Sequence, residues 1–287
     1  QVAFVTGASR GIGKASATAL AAAGFDVAVA ARTVHEGDGI DDQAPERTIP
    51  GSLESTVAAI EATAQRALAV PLDLRDHSSW APAVDQVHET WGRVDVLVNN
   101  GRHQSHDHMA RFLDVSVESL EVELGANLLA PAVLAKLVLP GMLERGGGTI
   151  VNLTSTAGYM DPPAPAGQGG WSSSYALAKG GLHRMAGMIA LELGDRGIHA
   201  FNLQPGFVIT ERNESLQDKL GTVGRYVGAP PSALGVVVAW LATNPEAAEF
   251  NGKTIEGQAF TLERGLHPDW RTDPSQIGSV STRASGW

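Results

Sequence analysis

The chain contains no cysteine, which excludes disulfides, thiolate catalysis and cysteine-ligated zinc. It is also short of positive charge: 21 Lys and Arg stand against 31 Asp and Glu, a formal net charge of −10. Nucleic acid and anionic membranes both select basic surface, so neither is an expected partner. No uninterrupted apolar run approaches the roughly 18 residues of a membrane span. An apolar, β-rich run starts at Val2, which leaves no room for a signal peptide, and the cytoplasm is the expected location. No internal repeat and no clean domain boundary interrupts the 287 residues. What remains is the composition of a soluble globular protein, 43% hydrophobic and 18% charged, of a size that suits one large α/β domain or two small ones.

Short apolar runs alternate with helical patterns along the chain. Strands are predicted over 2–5, 27–30, 68–70, 94–98, 149–153, 198–203 and 254–261. Helices are predicted over 11–24, 52–65, 78–91, 117–143, 174–193 and 231–242. Strands buried on both faces read as continuous apolar runs, as Val94-Asp-Val-Leu-Val98 does. Alternating βα units imply a single Rossmann-like α/β domain over 1–265, a doubly wound parallel sheet of about seven strands with helices on both faces. Four stretches interrupt the pattern: 32–51, 156–173, 207–229 and a polar tail over 266–287. Long loops at the carboxyl ends of parallel strands are where such folds build substrate sites, so 156–173 and 207–229 are the expected substrate loops.

Gly7, Gly11 and Gly13 follow the first strand and open the first helix. Glycine there permits a tight turn and lets backbone N–H groups reach a pyrophosphate, and the helix dipole favours that charge. A nucleotide P-loop does not fit, because Ala8 stands at its first glycine and Ala15 at its Ser/Thr. An acid at the end of the second strand would bind the adenosine ribose hydroxyls and favour NAD(H). Ala31 stands there, followed by Arg32, while Arg10 lies inside the glycine loop. Two guanidiniums suit a 2′-phosphate, so NADP(H) is the expected cofactor. Glu36 and Asp38 in the adjoining insertion keep NAD(H) as the alternative. Downstream, Tyr175 and Lys179 lie four apart on a predicted helix and share a face. An ammonium beside a phenol favours the phenolate, which makes a proton donor and acceptor usable near neutrality.

These residues resemble the short-chain dehydrogenase/reductase family over nearly the whole chain. The run 6–13 is similar to the family's glycine motif, Asp73 to its adenine-contacting acid, and Asn99-Asn100-Gly101 to its Asn-Asn-Ala-Gly. Asn127, Ser155, Tyr175 and Lys179 match its catalytic group, and Pro205-Gly206 its turn beside the nicotinamide. The resemblance implies a cofactor site made of Gly7, Ser9, Arg10, Gly11, Ile12, Gly13, Arg32, Asp73, Leu74, Asn100, Tyr175, Lys179, Pro205, Gly206 and Val208. It implies hydride transfer between the cofactor and a carbonyl or alcohol carbon. Tyr175 would be the general acid and base, Ser155 would hydrogen-bond the substrate oxygen, Lys179 would hold the nicotinamide ribose, and Asn127 would interrupt its helix to hold a water. It also implies a homodimer or homotetramer.

Two features depart from the family pattern. Arg102 stands where the family has glycine, and Ser155 and Tyr175 are separated by more residues than is usual, the excess being a Pro/Gly-rich insertion. The substrate is expected to be a moderately bulky, partly apolar ketone or secondary alcohol. Tyr159, Met160, Trp171, Phe207 and the segment 216–227 are candidate pocket walls. His103, His106 and His108 cluster around Asp107, but without the rigid spacing of a helical metal site they are expected to be pocket-edge or solvated loop residues, with no metal. Two competing functions share the scaffold: a non-redox lyase or dehalogenase, which would lose the glycine cradle, and a cofactor sensor, which would lose Tyr175 or Lys179.

Overall fold

The computed structural model describes residues 1–212 and 228–272. Seven strands form one parallel sheet: β1 (Val2–Thr6), β2 (Asp26–Ala31), β5 (Ala67–Pro71), β6 (Val96–Asn99), β7 (Gly148–Leu153), β8 (Ile198–Gln204) and β9 (Thr254–Glu256). Their spatial order is β5-β2-β1-β6-β7-β8-β9. The chain builds outward from β1 to one edge, then returns to β6 and builds to the other, so the order reverses between β1 and β6. A crevice opens at such a reversal, beyond the carboxyl ends of the two strands.

Consecutive strand residues serve opposite faces, and both faces are buried. Ala3, Val5, Val27, Val29, Val96, Val98, Phe201 and Leu203 pack under α1 (Gly11–Ala22), α2 (Leu53–Glu61) and α7 (Pro231–Thr243). Val2, Phe4, Ala28, Ala30, Leu97, Ile150 and Ile198 pack under α3 (Trp80–Trp91), α5 (Ala130–Glu144) and α6 (Ser173–Leu193). This double burial is why the strands read as unbroken apolar runs. The helical stretch Val117–Glu144 is long and apolar enough by composition to cross a membrane. Its Leu134, Ala135, Val138 and Met142 are instead packed into the second core.

Two elements add to or differ from the sequence pattern, and a third follows the resemblance. The insertion 32–51 contains a small hairpin: β3 (Ile40–Asp41) and β4 (Ala44–Thr48) pair antiparallel. The long helix is interrupted at Asn127, as the resemblance implies: α4 (Val117–Leu124) widens into a π turn at Gly125–Leu129 before α5 resumes. Finally, the last strand stops at Glu256, and Gly257–Glu263 turns into a helix, α8, where the pattern extends the strand to Thr261. A Cβ at Gly257 would lie 2.4 Å from a Leu234 methyl carbon. Glycine therefore allows the chain to turn in against α7, and Thr261 Oγ1 then donates to the Gly257 carbonyl one helical turn back, at 2.8 Å.

Helix α7 lies against α1 with almost no side-chain layer between them: a Cβ on Gly235 would lie 2.5 Å from the Ala15 carbonyl oxygen. On an open helix, Gly→Ala gains up to about 1 kcal/mol from propensity. Here the new methyl group meets backbone, and overpacking of a tight core costs about 1–3 kcal/mol. Gly235→Ala is therefore expected to lower stability, read as a lower denaturation midpoint; a higher midpoint would show that the two helices can separate freely.

Candidate active site

The crevice begins with a clamp between β1 and β6. Thr6 Oγ1 donates to the Val98 carbonyl at 3.2 Å and accepts the N–H groups of Asn100 and Gly101, both at 3.0 Å. The Asn100 side chain donates to the Thr6 and Gly7 carbonyls at 2.9 and 3.1 Å. Beyond the clamp, Gly7 and Gly11 have φ of 64° and 55°, the left-handed region that glycine enters without strain. The backbones also touch: a Cβ on Gly7 would lie 2.6 Å from the Gly101 Cα, and one on Gly13 would lie 2.2 Å from the Gly7 carbonyl oxygen. Glycine is thus required by close approach as well as by backbone angle.

The amino terminus of α1 faces a cavity of about 370 Å³. Gly7, Ser9, Arg10, Gly11, Ile12, Arg32, Asp73, Leu74, Asn100, Tyr175, Lys179, Pro205, Gly206 and Val208 all line it. Three expected residues are not among those lining it: Gly13 packs on Gly7, Asn127 is buried, and Ser155, part-exposed, stands at the end of β7 next to the lining residues Leu153 and Thr154. The cavity fits a dinucleotide on its own features. The Gly11 N–H, at the positive end of α1, donates to the Glu211 carboxylate at 2.9 Å, so an anionic oxygen already stands where a pyrophosphate would bind. Thr154 Oγ1, buried on the cavity wall, has no hydrogen-bond partner among the described residues. The pyrophosphate would be held by the glycine loop, the adenosine by Arg32, Asp73 and Leu74, and the nicotinamide half by Asn100, Tyr175, Lys179, Pro205, Gly206 and Val208.

Helix α6 presents the Tyr–Lys pair. Its amino terminus is capped by Ser172, whose Oγ accepts from the Tyr175 N–H at 3.2 Å. One turn later Lys179 is almost fully buried and donates from Nζ to the Leu153 carbonyl at 2.6 Å. Burial, with a lesser contribution from the Arg102 charge, lowers its pKa to about 7. Lys179 Nζ lies 5.9 Å from the Tyr175 ring centre, and the Arg102 guanidinium carbon lies 6.0 Å from it. Ser155 follows β7 and caps the turn Thr156–Gly158, accepting the Ala157 N–H at 3.3 Å. That turn packs directly on α6, since a Cβ on Gly158 would lie 2.7 Å from the Lys179 carbonyl oxygen. The 156–173 insertion therefore leaves β7 and α6 in contact.

Asn127 sits in the π turn and is buried. Its side chain accepts the His103 N–H at 2.7 Å and donates to the His103 carbonyl at 2.9 Å. A widened turn is common at functional sites; this one directs an amide at the loop that follows β6.

The histidines of that loop are not solvated as a group. His103 and His108 are buried, and only His106 is exposed. His103 Nδ1 lies 3.0 Å from Asp42 Oδ2, while His108 Nδ1 lies 3.2 Å from the buried Glu123 carboxylate. Asp107 accepts the Ser116 N–H at 2.9 Å. His108 also meets the Tyr175 ring edge-on, with centres 5.7 Å apart. Among the described residues no three His, Asp or Glu side chains converge as metal ligands.

The two arginines at the adenosine end are committed to partners. Arg10 donates to the carbonyls of Ile49, Pro50 and Gly51, bracing the foot of the hairpin. Arg32 forms a bidentate pair with Asp42 at 2.8 and 3.0 Å. Of the candidate substrate walls, Phe207 lines the cavity. Tyr159 points elsewhere and donates to Glu256 at 2.7 Å; the segment 216–227 and most of the tail lie outside the described residues. Cavity residues that the sequence pattern did not single out include Ile40, Asp41, Asp42, Thr210 and Arg212. Ile40, Asp41 and Asp42 lie in the insertion 32–51, and Thr210 and Arg212 in the expected substrate loop 207–229.

Comparison with known proteins agrees with this geometry. The family model described as short chain dehydrogenase matches residues 1–221. The chain is 34% identical to a 3-oxoacyl-[acyl-carrier-protein] reductase of Synechocystis sp., over 93% of this chain and 96% of that protein. It is 31% identical to an L-rhamnose 1-dehydrogenase (NAD(P)(+)) of Sphingomonas sp., over 92% of this chain and 95% of that protein. Acetoin dehydrogenase from Enterobacter cloacae superposes with a TM-score of 0.71 at 27% identity, covering 95% of this chain and 99% of that one.

The buried Lys179 ammonium carries a stability consequence. With its folded pKa lowered to about 7 and an unfolded value near 10.4, the unfolded state binds more protons between those limits, so Lys179 destabilises most below pH 7 and the penalty fades as pH rises. In thermal melts of cofactor-free protein, Lys179→Met is expected to gain more in midpoint at pH 6 than at pH 9.5. An equal effect at both pH values would contradict the burial argument.

Proposed function

The chain belongs to the short-chain dehydrogenase/reductase family, and we propose that it is an NADP(H)-dependent oxidoreductase that interconverts a ketone and a secondary alcohol. At family level it is an NAD(P)-dependent dehydrogenase/reductase. One observation carries the finer reading: the glycine-rich helix start and the Tyr175–Lys179 pair line one cavity, so a dinucleotide in the first reaches the second.

Tyr175 is the proton carrier. In reduction its hydroxyl donates to the carbonyl oxygen, and in oxidation its oxygen takes the alcohol proton. Lys179 places a cation at 5.9 Å from the phenol ring and holds the ribose hydroxyls. Ser155 hydrogen-bonds the substrate oxygen as charge develops on it. Asn127 acts one step back, fixing the backbone at His103. The bound cofactor supplies or accepts the hydride. The fit to a 2′-phosphate is supported by Arg32 on the cavity wall and by Ala31, which leaves the strand end without an acid.

The surface supports self-association. Leu129, Leu177, Met188 and Leu191 are 45%, 53%, 59% and 88% exposed on the π turn and α6, more apolar surface than one element of a monomer usually leaves open. We propose a homodimer or homotetramer formed through these helices.

Tyr175→Phe is expected to lower kcat by about 10²–10⁴-fold, the range of a lost general acid–base group, with NADPH binding retained. Near wild-type turnover would remove the mechanism. Steady-state comparison of the two cofactors tests the 2′-phosphate reading, which a higher kcat/KM with NADH would reverse. Light scattering is expected to give at least twice the 30.0 kDa chain mass; a monomer would count against the helix pairing.

A further inference from the structure

The insertion between β2 and α2 places a carboxylate at the adenosine end of the cavity. Asp42 sits at the tip of the hairpin, on the cavity wall. Its two oxygens accept from both terminal nitrogens of Arg32, at 2.8 and 3.0 Å. One of them also lies 3.0 Å from His103 Nδ1. The carboxylate is thus held between two elements, and it cannot rotate away from Arg32 without losing His103.

The hairpin is itself anchored. Asp41, almost fully buried, pairs with Arg212 at 3.0 Å and with Arg47 at 3.4 Å, and Arg212 also donates to Gln43 at 2.8 Å. Arg10 fastens the returning strand through the carbonyls of residues 49–51. Burial alone would raise the Asp42 pKa, but the hydrogen bonds from His103 and Arg32 outweigh it, and the group is a carboxylate at neutral pH.

We propose that Asp42 is a cofactor-discriminating residue: it is the built-in counter-ion of Arg32 and sets how strongly this site prefers a 2′-phosphate over a 2′-hydroxyl. The inference rests on the dinucleotide reading of the cavity. A ribose 2′-hydroxyl is neutral and can donate to Asp42 while the ion pair stays intact. A 2′-phosphate has to draw on the same guanidinium, and it brings like charge up to a carboxylate that is fixed in place. Arg32 favours NADP(H), Asp42 opposes it, and the pair together leaves a narrower preference than Arg32 alone would give. No acid on β2 is needed for this, because the hairpin delivers one from ten residues farther along.

Direct titration of the substrate-free protein, by cofactor fluorescence or calorimetry, tests this without reference to turnover. In Asp42→Asn, which keeps the shape and can still hydrogen-bond His103, the ratio Kd(NADH)/Kd(NADPH) is expected to rise at least tenfold over wild type. In Arg32→Gln that ratio is expected to fall at least tenfold, and the Arg32→Gln/Asp42→Asn double variant is expected to recover part of the lost NADPH binding. Asp42→Ser removes the same charge with a smaller group and serves the same comparison if the amide variant fails to fold. An unchanged ratio on neutralising Asp42, or one shifted towards NADH, overturns the proposal. The wild-type ratio tests the NADP(H) reading separately: a protein that binds NADH more tightly would refute that reading, and Asp42 would still be judged by the change.

Discussion

The site depends on how closely the carboxyl ends of β1 and β6 are drawn together. Thr6 and Asn100 exchange hydrogen bonds across the two strands, and the glycines beyond them leave no room for even one methyl group. Everything that follows takes its direction from that contact. On one side the chain turns into α1, whose exposed N–H groups make an anion seat. On the other side it runs into the loop that carries Arg102 and His108 towards Tyr175. A clamp of this kind is inexpensive in residues and intolerant of change, because backbone meets backbone and no side chain can relax to absorb an addition.

The catalytic side is held by carbonyls and caps. Lys179 is buried without an acidic partner among the described residues and has one backbone carbonyl for its proton. An ammonium in that setting is less stable than one in water. Such a residue is poorly explained as a folding device. Asn127 tells the complementary story. Its side-chain oxygen and one of its N–H bonds are engaged by the His103 backbone, which ties the π turn to the loop that follows β6.

Much of this was legible in the residues. Doubly buried strands leave unbroken apolar runs, and glycines required by close contact leave a spacing, so the sheet, the cradle and the Tyr175–Lys179 pair could be read directly. The misses have a common physical origin: each depends on a partner distant in sequence. The run 254–261 has Ile255, Ala259 and Phe260 as its only large or methyl-bearing apolar side chains, and Gly257 lets it approach α7 closely where Gly257–Glu263 forms a helix. That helix matters to the site, because Gln258 donates to the carbonyls of Pro205 and Phe207 at 2.9 and 2.8 Å and so braces the turn beside the cavity. Arg10 lines the cavity, where its place in the glycine loop puts it, and its guanidinium also closes the foot of a hairpin about forty residues away, a use that no local pattern announces.

The hairpin extends the same logic. Its tip touches Arg32 at the adenosine end and His103 on the catalytic loop, and His103 in turn fixes Asn127 through two backbone hydrogen bonds. Three elements far apart in the chain thereby meet through one carboxylate and one imidazole. Because Asp42 is bonded on both sides, the end of β2 and the loop after β6 share one carboxylate. The insertion that interrupts the βα pattern over 32–51 becomes part of the wall that joins them.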